Sequence, residues 1–205
     1  MTSPWLAGAV VAASVLACAG APAADSRFPD WPCQQIKVPS LSVAAVWSGP
    51  SIDDVGDAWE HDQTVADLVA TLSARRTPLT RAEKLIGDFL KGGGADQQQK
   101  AKLLFAGLFD TLSRERSTVM DGIERFSRKE RTNAAQIRAE ASTLRAEQSA
   151  ANPDQAKIED LTERLTWDTR IYDEQRKTIS YVCAVPQTIE QRLFALSRAI
   201  QQSLD

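Results

Sequence analysis

Apolar positions recur along this chain in two different patterns, and the change from broad stripe to narrow seam marks out its parts. Up to about residue 112 the stripes are broad. Ser51 and the acids that follow it predict a short helix through Trp59, with Asp53 and Asp54 set favourably against its N-terminal dipole. Val65, Leu68, Val69 and Leu72 share one face of a helix over 64–74. Thr80 and Glu83 have the spacing of a capping box and predict a third helix, carrying Leu85, Ile86, Phe89 and Leu90. Gly92, Gly93 and Gly94 end it. Leu103, Leu104, Phe105, Leu108, Phe109 and Leu112 then cover most of a helix circumference, so cover from several sides is required. The two preceding helices are the expected cover.

Past Arg114 the apolar pattern narrows to a seam: Val119, Ile123, Phe126, Ile137, Ala141 and Leu144. After Asn152 and Pro153 it resumes as Ile158, Leu161, Leu165, Tyr172, Ile179 and Val182, on heptad positions a and d with Asp168 and Gln175 as polar members. The two seams mirror one another about residue 151, pairing Leu144 with Ile158, Ile137 with Leu165 and Ile123 with Ile179. One continuous helix has no need of such symmetry, whereas an antiparallel hairpin turning at Ala151 and Asn152 requires it. Glu130 falls opposite Tyr172, which makes one layer polar. Val185 and Pro186 are read as the break after the return helix, and Ile189, Leu193, Leu196 and Ile200 as the face of a last helix over 188–204.

The expected fold is therefore all-α: a long antiparallel two-helix coiled-coil hairpin over 113–183 on a small helical base over 51–112 and 186–205. Residues 24–50 are rich in Pro and Trp, which disfavours a long helix and predicts an extended arm lying on the base. Trp31 and Trp47 are its expected anchors, since their area is costly to leave in water. The apolar run over 5–17 is too short for an ordinary membrane anchor and has the length of a leader core, with small residues at Ala21 and Ala23. A signal peptide over 1–23 is expected, hence a periplasmic or secreted protein. The alternative is a lipoprotein anchored through Cys18, with membrane contact only in that case.

Either version leaves Cys33 and Cys183. In an oxidising compartment an even pair reads as a disulfide, and no Cys-x-x-Cys or haem-attachment spacing competes with that reading. Composition narrows the function classes further. With 24 basic residues against 27 acidic ones, net charge −3 and pI near 5.3, the chain lacks the basic footprint of a nucleic-acid binder. Arg125, Arg128, Lys129 and Arg131 do cluster, but Glu124 and Glu130 interleave with them.

Candidate chemistry is sparse. Placed on a helix, Asp54, Asp57 and His61 would share one face and could converge on a divalent cation. That spacing matches no calcium loop, no second histidine exists, and acids at a helix start serve as dipole complements. Metal delivery in the periplasm through these three residues is the alternative function. No Gly-x-Ser-x-Gly elbow or phosphate loop is present, so no catalytic residue and no cofactor is expected. The expected function is that of a non-enzymatic envelope adaptor, scaffold or assembly factor. Its expected partner is another envelope protein or a second copy of the chain.

Overall fold

The structure is a computed structural model that describes residues 26–91 and 94–204. The expected leader, with Cys18, lies outside the described residues, as do Gly92 and Gly93. Among the described residues the chain forms seven helices and no strand. They are α1 (Val43–Val46), α2 (Ala58–His61), α3 (Gln63–Ser73), α4 (Leu79–Phe89), α5 (Gly94–Gln148), α6 (Gln155–Cys183) and α7 (Val185–Gln202). The all-α expectation holds.

α5 is one unbroken helix of 55 residues, about 80 Å at 1.5 Å per residue, so base and hairpin share it without a joint at residue 112. Its first part is enclosed: Leu104, Phe105, Leu108 and Leu112 are buried among Val65, Val69 and Leu72 of α3 and Leu193, Leu196 and Ile200 of α7. The cover differs from expectation in one respect. α3 packs on α5, whereas α4 packs chiefly on α7, which itself packs on α5. Close approach is possible because Gly107 faces α2 and α3. A Cβ there would sit 2.7 Å from Val69 Cγ2 and 2.8 Å from the Trp59 ring.

Three boundaries depart from the sequence reading. The helix expected from Ser51 is instead a run of turns with Gly56 at φ 51°, and only Ala58–His61 is helical. Asp62, rather than the earlier acids, caps a helix, its carboxylate accepting from the amides of Thr64 at 3.0 Å and Val65 at 3.1 Å. Thr80 is not a cap: α4 begins at Leu79 behind Pro78, whose lack of an N–H costs nothing at a helix start. Pro186 likewise sits in the first turn of α7, which follows α6 after the single residue Ala184.

The hairpin turn is built from both arms. Asp154 caps α6 by accepting from the Lys157 amide at 3.2 Å, while Glu147 accepts from the Asp154 amide at 3.2 Å and from Lys157 Nζ at 2.6 Å. Along α6 from 155 to 182, the shielded residues are Ile158, Leu161, Leu165, Asp168, Tyr172, Gln175, Ile179 and Val182, the expected heptad set with both polar members. Ile179 and Val182 pack against the cluster that holds Ile123 and Met120, in keeping with the mirrored register.

The two interior glycines of α5 make a direct test of this packing. Gly107→Ala should destabilise by up to about 2 kcal/mol, because an overpacking cost of about 1–3 kcal/mol is set against roughly 1 kcal/mol gained in helix propensity. Gly122 faces only Arg125 Nη2 at 3.8 Å, so Gly122→Ala should stabilise by about 0.5–1 kcal/mol. Urea denaturation of the two variants checks both signs.

Candidate functional site

The foot of the hairpin is held by the N-terminal arm. Phe28, Trp31 and Cys33 pack against Met120, Ile123, Val119, Ile179 and Val182, so the arm closes the lowest layers of the α5–α6 seam. Cys33 and Cys183 are joined by a disulfide with Cα atoms 5.6 Å apart, within the ordinary range for such a bridge. The link spans 150 residues of sequence and in the chain-entropy model contributes about 4–5 kcal/mol by restricting the unfolded chain. Trp31 donates from Nε1 to Gln35 O at 2.7 Å, and Gln35 donates in turn to Cys183 O. Lys37 pairs with Glu124 and stands 4.9 Å over the Phe28 ring.

Two arginines of the basic run on α5 take Asp30 between them. Arg128 reaches Oδ2 at 2.7 Å, and Arg131 reaches Oδ1 while also donating to Pro29 O at 2.8 Å. These hydrogen bonds, Arg128 first, hold the Asp30 carboxyl below its ordinary 3.8. Further along the arm, at Val38 and Pro39, the buried Arg116 of α5 joins three segments. Its Nε donates to Glu190 of α7 at 2.6 Å and Nη2 to Val38 O at 2.7 Å, with Nη1 3.5 Å from Pro39 O. Trp47, the second expected anchor, is buried by stacking on Phe105 with centroids 4.1 Å apart, and donates to Pro50 O at 2.8 Å.

Beyond this foot the environment changes. Between 131 and 182, all of them described, no residue is buried; the seam members reach only half-burial. Glu130, buried at the boundary, accepts from Asn133 Nδ2 at 3.2 Å, but its second oxygen and those of Glu140 and Gln175 are shielded without a hydrogen-bond partner among the described residues. The expected polar layer is thus real, and it opens on a groove of about 480 Å³ lined by Phe126, Glu130, Ala134, Tyr172, Arg176 and Ile179. On the flank of α6, Trp167 is 61% exposed and Ile171 40%, between Arg164, Arg170 and Glu174. This apolar pair is outside the seam and was not among the sequence candidates. A tryptophan off the heptad stripe in an otherwise charged helix was the signal for it.

Comparison of the chain with protein-family models, curated proteins and solved structures finds no match.

The three candidate metal ligands are not brought together. Asp54 lies in the turn before α2 and gives its carboxylate to Lys102 of α5 at 2.6 Å, which lowers its pKa through that hydrogen bond. Asp57 and His61 stand 4.0 Å apart at the two ends of the single turn of α2, 83% and 79% exposed. The reason is the missing helix: with 53–57 in turns, the spacing that would align the three residues no longer applies. Among the described residues no group of three or more His, Cys, Asp or Glu is placed to hold a metal ion. No helix among them is long and apolar enough to cross a membrane.

The clamp should respond to substitution and to acid. Arg116→Met leaves Glu190 and two carbonyls without their donor and should cost about 2–4 kcal/mol, with Arg116→Lys recovering only part. For Asp30, the folded chain binds the proton less readily than the unfolded chain, so its contribution is complete above the ordinary 3.8 and is lost as pH falls through the lowered value. Arm docking, followed by Trp31 fluorescence in a chain whose other tryptophans are replaced by Phe, should be constant from pH 5 to 8 and change only below about pH 4.

Proposed function

We propose that the chain is an exported, non-enzymatic protein of the cell envelope whose α5–α6 hairpin acts as a coiled-coil docking element for an adaptor, scaffold or assembly factor. The observation that carries this reading is the distal hairpin, where no side chain from 131 to 182 is buried and Trp167 stands 61% exposed. A helix pair hides one narrow stripe of each member and leaves the flanks in water. A large aromatic beside an isoleucine on such a flank is the composition of a protein-docking hot spot.

Two further features support the setting. A disulfide closing a long loop persists in an oxidising compartment, consistent with the expected leader over 1–23. The same reading accommodates the lipoprotein alternative, in which Cys18 would tether the base and leave the hairpin to project. The bridge and the arm stiffen the foot, so that the exposed flank is presented at a defined angle from the base.

Capture from the native envelope with a C-terminal tag tests the reading. Trp167→Glu should leave the thermal transition unchanged, because the side chain touches no core residue. It should weaken retention of bound protein by about 30-fold or more, as loss of a hot-spot aromatic does. Retention of the same proteins by wild type and variant would contradict it.

A further inference from the structure

The flank that carries Trp167 has a second period of its own. Lys157, Asp160, Arg164, Trp167, Ile171, Glu174, Thr178 and Tyr181 follow one another at alternating steps of three and four residues, and all eight are exposed. Such spacing is a heptad stripe, set to one side of the stripe that faces α5. It is the pattern of a helix with two neighbours, of which the chain itself supplies one.

The order of residues along this stripe points to the second. We propose that its occupant is a second copy of the chain, with the two α6 helices antiparallel about a two-fold axis level with Thr169. Rotation about that axis sets Trp167 against Ile171 of the second copy and Arg164 against its Glu174. Asp160 then faces Thr178, and Lys157 faces the ring of Tyr181. Every contact occurs twice, as an isologous interface demands. Other registers are opposed by charge. A parallel pair sets Arg164 on Arg164 and Glu174 on Glu174, and an antiparallel pair centred on Trp167 sets Asp160 on Glu174. Within one chain Arg164 is already drawn to Asp160, and Glu174 to Lys177 at 2.8 Å, both on exposed side chains that can turn to the partner at little cost.

The area suffices. From residue 157 to 181 the stripe runs about 36 Å, and with the adjoining flank of α5, where Asn133 and Gln136 line a common groove with Ile171, the face is about 20 Å wide. About 700 Å² per copy is close to the roughly 800 Å² per partner of an ordinary specific interface. The two hairpins would form a four-helix bundle, with the bases at opposite ends, and Trp167 and Ile171 would take the central place that the half-buried seam leaves open.

This inference rests on the proposed function, naming the partner of the same flank, and its test separates the two. Sedimentation equilibrium of the full exported chain should show a dimer at micromolar concentration. Arg164→Glu and Glu174→Arg each set like charges together twice across the axis, and each should raise the dimer Kd about tenfold or more. The combined variant restores opposite charges and should return the Kd to within about threefold of wild type. Circular dichroism checks that each variant keeps its helices. A dimer indifferent to the single reversals, or not restored by the pair, overturns the inference. So does a monomer throughout: if that monomer still retains envelope protein through Trp167, the docking function stands without self-association, and if it retains none, both fail.

Discussion

Two helices cannot enclose a side chain between them, and the organisation of this protein follows from that limit. A residue on a helix pair meets one neighbour and water on the remaining sides; only a third and fourth element exclude the solvent. α5 is exposed to both situations along one continuous backbone. At Phe105 and Leu108 it is surrounded, and both side chains are fully buried. At Ile137 and Leu144 it has α6 alone, and both remain half in water although the heptad places them on the seam. The base thus holds a core of its own, while the outer hairpin gains little from burial.

The arm resolves this conflict where the two regimes meet. By laying Phe28 and Trp31 over Ile123 and Met120 it supplies a third side to the lowest layers, and burial there is complete for Ile123. Arg116, Asp30 with its two arginines, and the Cys33–Cys183 bridge all act at this level. None is positioned to stabilise the tip. Their combined effect is to fix the root of a long lever, so the direction of the hairpin is set by covalent and charged contacts rather than by its own sparse seam.

Much of this was legible because it is periodic. The a and d positions of α6 match its shielded residues one for one, and the mirror about residue 151 is in keeping with one cluster at the foot that holds Ile123 and Ile179. The pairing of Cys33 with Cys183 followed once Cys18 was assigned to the expected leader, which leaves two cysteines. What escaped was set by single contacts between distant segments. Arg116 sits in a polar stretch and gives no sign that it will be buried against Val38 and Glu190. Asp54 looked like a ligand because its neighbours were imagined on a helix, but Gly56 bends the chain and Lys102 claims the carboxylate. Thr80 has the capping spacing, yet Pro78 starts the helix earlier. The Trp167 flank left one sign in the sequence, a tryptophan off the heptad stripe, but its exposure beside Ile171 comes from the structure.

Amide hydrogen exchange along the chain tests most directly whether the outer hairpin is an element awaiting cover. In dilute protein with the disulfide intact, amides over 136–147 and 156–176 should exchange far faster than those of α5 near Leu104–Leu112 or of α7, because local opening there releases almost no buried surface. Those same segments should slow markedly when the partner is bound or the protein is concentrated. Protection in the dilute monomer equal to that of the base would mean that the hairpin is stable on its own, and would contradict the reading of it as a docking element.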